Sequence, residues 1–202
     1  MLKIYIVRHG QTEFNVQKRL QGRMDSPLTE KGRENASALG LHLFDIDFEL
    51  VLASPSKRAQ TTAELICRGR DIGIQTENDM REINLSHWEG KLNEELIAEY
   101  PEESDIFWNK PHLYKPVEGD SYYDVQERAV NVIKRLIEQY ESGNILIVTH
   151  TVVIKAIVAY FKGSTMDKLW EPPYILDTCI SILEADKDGV KVISVGETPH
   201  II

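Results

Sequence analysis

Short apolar runs alternate with amphipathic stretches along the chain. Residues 2–7 and 50–53 are apolar and rich in β-branched side chains, and residues 144–149 contain the run ILIV. Each reads as a strand buried on both faces. Residue Thr29 is placed to cap a helix reaching about residue 44, with Ala36, Leu39 and Leu43 on one face. Ser54-Pro55 reads as an N-cap followed by proline at the first helical position, opening a helix to about residue 68. Residues 74–77 are a candidate strand. Residues 121–140 form the strongest amphipathic pattern, with Val125, Ala129, Val132, Ile133, Leu136 and Tyr140 on one stripe. Ser121 with Asp124 resembles a capping box, and Gly143 fits a helix stop. The ILIV strand runs into His150, and a helix follows to about residue 161. Two late strands, 178–184 and 190–195, are joined hairpin-fashion through the turn at 187–189.

Strands separated by helices predict an α/β fold: a three-layer sandwich with a mostly parallel central sheet and helices on both faces. Residues 83–120 break the pattern. Prolines at 101, 111 and 116 and aromatics at 88, 100, 107, 108 and 114 predict a small lobe of short helices and loops. The whole chain, 1–202, is expected to be a single domain carrying this lobe over its site.

Charge and composition narrow the function. Lys and Arg number 23 against 32 Asp and Glu, a net charge of −9. That disfavours nucleic acid and anionic membrane as partners. No run approaches the ~18 apolar residues of a membrane span, and the opening apolar stretch is too short for a secretory signal. Cys67 and Cys179 have neither disulfide-framework nor metal-site spacing. A reduced, cytoplasmic protein is expected. Any anionic substrate must meet a locally concentrated positive charge. Monomer and dimer are both open.

Three predicted strands end in chemistry-bearing residues. The first runs into Arg8-His9-Gly10, the second into Ser54-Pro55 with Arg58 one turn on, and the ILIV strand into His150. Ligands of open α/β sheets bind beyond the carboxyl ends of strands. Helices opening at Pro55 and Thr151 would add N–H groups there. Two arginines suit phosphoryl oxygens, and a neutral imidazole can attack phosphorus. Each residue alone is ordinary; the joint placement makes the case.

The blocks Val7-Arg8-His9-Gly10-Gln11-Thr12-Glu13-Phe14-Asn15, Gln21-Gly22-Arg23-Met24-Asp25-Ser26-Pro27-Leu28-Thr29, Ser54-Pro55-Ser56-Lys57-Arg58-Ala59-Gln60-Thr61-Thr62-Ala63, the Glu82 block and Val148-Thr149-His150 resemble, in order and spacing, the histidine phosphatase (phosphoglycerate-mutase-like) superfamily. The resemblance implies that fold and the following roles. His9 is the nucleophile, Arg8, Arg58 and His150 complete the phosphate pocket, and Glu82 is the general acid and base. Asn15, Gln21 and Gly22 are further phosphate contacts. Thr151 stands where the family usually has glycine, and joins the phosphate-binding set.

The implied reaction is hydrolysis of a small phosphate monoester through phosphohistidine, with no metal and no cofactor. A mutase needs extra cations for a second anion. Residues 83–120 hold only Lys91, Lys110 and Lys115 against nine acids, and no arginine. Trp88, Phe107, Trp108, Leu113, Tyr114, Tyr122 and Tyr123 suggest instead an apolar surround for organic leaving groups. The segments 83–91 and 169–174 most resemble broad-specificity phosphatases of bacterial type. The alternatives are a cofactor-dependent phosphoglycerate mutase, a phosphatase specific for alpha-ribazole phosphate or phosphoserine, and a non-catalytic phospholigand-binding module.

Overall fold

The computed structural model describes residues 1–187 and 189–201, so Asp188 of the predicted turn lies outside the described residues. Its six-stranded sheet has the order β3-β2-β4-β1-β5-β6. The strands are β1 (Leu2–Arg8), β2 (Leu50–Ala53), β3 (Ile74–Thr76), β4 (Gly143–Thr149), β5 (Ile180–Asp186) and β6 (Gly189–Glu197). The first four are mutually parallel, and β5 and β6 complete the edge antiparallel. The central strands are apolar throughout because helices cover both faces.

Helices α2 (Glu30–His42) and α3 (Lys57–Ile66) lie on one face. They bury Leu39, Ala59, Ala63 and Ile66 against Val7, Val51 and Val148. Helices α6 (Tyr122–Gln139) and α7 (Thr151–Lys162) cover the other, with Val125, Ile133, Ile154 and Ile157 against Ile4, Ile6, Ile145 and Ile147. The three-layer α/β sandwich is thus as expected. Short helices α1 (Glu13–Val16), α4 (Asn93–Glu99) and α5 (Pro101–Asn109) occupy connections.

Three local expectations change. Helix α3 begins at Lys57, with Ser56 as N-cap and no side-chain cap bond; Ser54 is drawn away to another partner described below. Gly143 does not stop α6, which ends at Gln139. It opens β4 at φ 110°, where an added Cβ would lie 2.0 Å from the Glu49 carboxylate. The apolar side chains expected to surround the leaving group also divide. Trp88, Phe107, Tyr114 and Tyr122 are buried against one another, Trp88 to Phe107 at 5.5 Å and Phe107 to Tyr122 at 5.3 Å between ring centroids. They hold the short helices together. Leu113 and Tyr123 face solvent.

Candidate active site

The parallel register brings the predicted residues to one edge of the sheet. Arg8 pairs with Thr149 and Ala53 with Val148, so β1, β2 and β4 end level with one another. His9, Ser54 and His150 each follow one of these ends. Main-chain bonds lock the three turns, His9 N to Thr149 O at 2.9 Å and Ser54 N to Val148 O at 2.9 Å. The rings of His9 and His150 then stand 5.2 Å apart. A cavity of about 420 Å³ is lined by Arg8, His9, Asn15, Gly22, Arg58 and Glu82, with Gln21 and Thr151 on the same wall. A second recess shares Gly22, Arg58 and Glu82 and adds His150.

The hydrogen bonds decide the protonation of both imidazoles. His9 Nδ1 lies 2.8 Å from the Gly10 carbonyl. A carbonyl only accepts, so Nδ1 carries the proton and Nε2 the lone pair. His150 Nδ1 lies 3.2 Å from a guanidinium nitrogen of Arg58, which only donates. His150 Nε2 therefore carries its proton and donates to Ser54 Oγ at 2.7 Å. That bond is where the Ser54 hydroxyl goes instead of capping α3. Burial holds both histidines well below the ordinary imidazole range, helped by the positive charge of Arg58.

Glu82 is placed by the opposite face of the sheet. Its carboxylate accepts from its neighbour Ile83 N at 2.9 Å and from Val152 N in the first turn of α7 at 3.3 Å. Burial raises its pKa; the two amides and the cations Arg58 and Arg128 oppose the rise.

The arginines are held by Gly22 and by groups with no predicted role: Met24, Asp25, Ile175 and Asp177. Arg58 donates to Gly22 O at 2.7 Å, Met24 O at 2.8 Å and Asp25 Oδ1 at 2.8 Å. Asp25 also accepts from Lys57 N at 2.7 Å. The N–H groups opening α3 are thus taken by Asp25 and those of α7 in part by Glu82, so the expected donation of helix-end amides at Pro55 is corrected: an internal carboxylate occupies that helix end. A fully buried guanidinium needs a carboxylate partner, which is the signal that singles out Asp25. Arg8 donates to Ile175 O at 2.8 Å and faces Asp177 at 3.8 Å. Thr12, fully buried, receives Gln21 Nε2 at 2.8 Å, while Asn15 Oδ1 accepts from the Thr12 amide and hydroxyl. The Gln21 side chain therefore braces the loop with one of its two amide N–H donors.

Asp25→Ala is expected to destabilise the protein by about 3 kcal/mol, because it leaves the buried Arg58 charge uncompensated. Chemical denaturation measures the loss. Inorganic phosphate should recover part of it by partnering Arg58; a variant as stable as the parent would contradict this account of Asp25.

The apolar surround is narrower than expected. Among the described residues, Phe107 and Trp108 are the aromatics of 83–120 that line the cavity, joined from that region by Ile83, Leu85 and Asn93 and from elsewhere by Leu20, Val152 and Trp170. Trp108 and Trp170 stand 5.1 Å apart. Buried Lys155 donates to Glu171 O at 2.5 Å, tying the segment beside Trp170 to α7. Cations beyond the phosphate pocket come from Lys18 and Arg19, ahead of the region in which the sequence reading counted them. His87 packs edge-on against Trp88 and Tyr100. Among the described residues, no three His, Cys, Asp or Glu side chains gather as metal ligands. No helix among them is long and apolar enough to cross a membrane.

Two imidazoles, two guanidiniums and a carboxyl group about two adjoining recesses at the carboxyl edge of a parallel sheet define a phosphoryl-handling α/β enzyme. The chain belongs to the histidine phosphatase superfamily (branch 1), whose family model matches residues 4–198. It is accordingly of the phosphoric monoester hydrolase class. The solved structure of Bacillus stearothermophilus YhfR is similar over 99% of each chain, with a TM-score of 0.96 and 42% identity. The adenosylcobalamin/alpha-ribazole phosphatase of Escherichia coli is 30% identical over 169 residues, covering 84% of this chain and 83% of that one. Phosphoserine phosphatase 1 of Hydrogenobacter thermophilus is 29% identical over 170 residues, covering 84% and 81%.

Proposed function

We propose that this protein hydrolyses small organic phosphate monoesters in two in-line transfers through phosphohistidine on His9. The observation that carries this reading is the His9 Nδ1 to Gly10 O bond, which leaves a neutral imidazole with its Nε2 lone pair free as the nucleophile.

In the first transfer the Nε2–P bond forms as the ester P–O bond breaks. Protonated Glu82 gives its proton to the departing oxygen. In the second, a water oxygen bonds to phosphorus, the P–N electron pair returns to His9, and Glu82 takes the water's proton. Arg8 and Arg58 hold the equatorial oxygens. His150 stays neutral: it accepts from Arg58 at Nδ1 and donates to Ser54 through Nε2, and so holds the Arg58 guanidinium at the phosphate site. Asn15, the Gly22 backbone and Thr151 complete the enclosure. Thr151 lines the cavity from the first turn of α7, where its backbone is helical. Phosphoryl transfer asks mainly for positioning and charge stabilisation, which these groups supply without a metal ion.

The relatives whose names specify alpha-ribazole and phosphoserine phosphatases support the monoester class. Phe107, Trp108 and Trp170 on the cavity wall favour organic leaving groups. Residues 83–120 act as the lobe that shapes this wall. A panel of aryl, alkyl and sugar phosphates assayed in excess chelator is the test. Turnover is expected to persist in chelator and to favour aryl esters. Activity that vanishes with chelator and returns with a divalent cation would overturn the metal-independent route. A coupled assay with bisphosphoglycerate, expected to show no isomerisation, separates the mutase alternative.

A further inference from the structure

One cation on the cavity wall has no part in holding the transferred phosphate. Lys18 lines the same cavity as His9 and Glu82. Its backbone is left-handed, with φ 58°, a conformation that disfavours lysine and suits glycine. The other cations of the cavity are engaged. Arg8 is bound to Ile175 O and faces Asp177, Arg19 donates to Gly90 O and Gln17, and Arg58 is held by Gly22, Met24 and Asp25. Among the described residues the Lys18 ammonium has neither an ion pair nor a side-chain hydrogen bond.

Its neighbours on the wall add a donor and a flat apolar surface. Asn93 N donates to Lys18 O at 3.2 Å, which fixes the two residues side by side. Asn93 Oδ1 accepts from Trp108 Nε1 at 3.0 Å. Because indole only donates, the Asn93 oxygen faces Trp108 and its amide nitrogen faces away, with no hydrogen-bond partner among the described residues. Lys18, Asn93 and Trp108 thus form one continuous stretch of wall within the cavity.

The geometry points to a leaving-group subsite: the preferred monoesters carry a ring or other flat apolar body against Trp108 and end in a carboxylate bound by Lys18 and the Asn93 amide. A single ammonium with one neutral donor matches a monovalent carboxylate. The transferred phosphate, by contrast, meets two guanidiniums and two imidazoles. This inference rests on the phosphatase reading and names the substrate class of the same cavity.

The test compares phenyl phosphate with 3- and 4-carboxyphenyl phosphate in wild type, Lys18→Gly and Lys18→Glu. Glycine relieves the left-handed backbone, so the Lys18→Gly protein is expected to fold. Its kcat/KM for the better carboxylated ester, taken relative to that for phenyl phosphate, is expected to fall about fivefold, as for a partly exposed ion pair. The change should lie in KM, because the contact is remote from the reacting atoms. Lys18→Glu should lower the ratio further, and added salt should shrink the difference between wild type and variants. A ratio unchanged in both variants overturns the subsite while leaving the phosphatase reading intact. Failure of wild type to turn over phenyl phosphate would instead bring down that underlying reading.

Discussion

His9→Ala is expected to lose at least ~10⁴-fold of phosphomonoesterase turnover, the scale at which a covalent nucleophile is missed. The loss is large because nothing else in the cavity can replace its lone pair. The Nδ1 of His150 faces Arg58, and its Nε2 is committed to Ser54. Among the described residues His9 makes one side-chain hydrogen bond, to the adjacent Gly10 carbonyl, so its removal breaks no long-range hydrogen bond of the fold. The variant should therefore melt close to wild type and still be stabilised by inorganic phosphate through Arg8 and Arg58. Rapid quench with radiolabelled substrate supplies the direct measurement. Wild type should trap an acid-labile, base-stable phosphoprotein, and His9→Ala none. Wild-type protein that turns over substrate without trappable label would sink the covalent route.

Glu82→Gln is expected to slow hydrolysis of alkyl phosphates by roughly 10²–10⁴, the usual contribution of a positioned acid or base. The two half-reactions separate its roles. With 4-nitrophenyl phosphate the leaving oxygen needs no proton, so the first transfer stays fast. The second still lacks its base, and phosphoenzyme should accumulate after an initial burst of nitrophenol. Equal loss on good and poor leaving groups, with no burst, would deny Glu82 the acid role.

The pH dependence follows from the same two groups. The first transfer needs neutral His9 and protonated Glu82. Unperturbed, these forms barely coexist, because a carboxyl group ionises near ~4.3 and an imidazole loses its proton only near ~6.5. Burial pushes His9 down and Glu82 up, so both shifts bring the required forms together. Rate should fall at low pH as His9 protonates and at high pH as Glu82 ionises, giving a bell on the acid side of neutrality. The limbs belong to the coupled pair, as does any apparent pKa. In Glu82→Gln the alkaline limb for single-turnover phosphorylation should disappear.

Much of this was legible in the residues themselves. The apolar runs at 2–7, 50–53 and 144–149 could only be strands covered on both faces, and Ser121 with Asp124 forms the capping box that opens α6. The site was legible because each strand delivers its residue at a fixed place, the end of an apolar run. What escaped were the residues that support the site from elsewhere in the chain. Asp25 stands in a loop with no periodicity, and only the folded chain shows its carboxylate on Arg58 and the first turn of α3. Ser54 read as a cap because proline follows it, yet the register of β2 beside β4 offers it His150 first. Trp88, Tyr114 and Tyr122 looked like substrate contacts, but composition cannot tell an aromatic that packs a lobe from one that lines its mouth.

Local pattern and residue order thus determined the layers, the strand ends and the set of chemical groups, since periodicity and side-chain type are properties of short segments. Tertiary structure alone decided which nitrogen of each imidazole carries the proton, which carboxylate partners Arg58, and which aromatics and cations face the cavity. Apart from the bond of His9 to its neighbour Gly10, those depend on contacts between residues tens of positions apart, made only when the parallel register closes around a common edge.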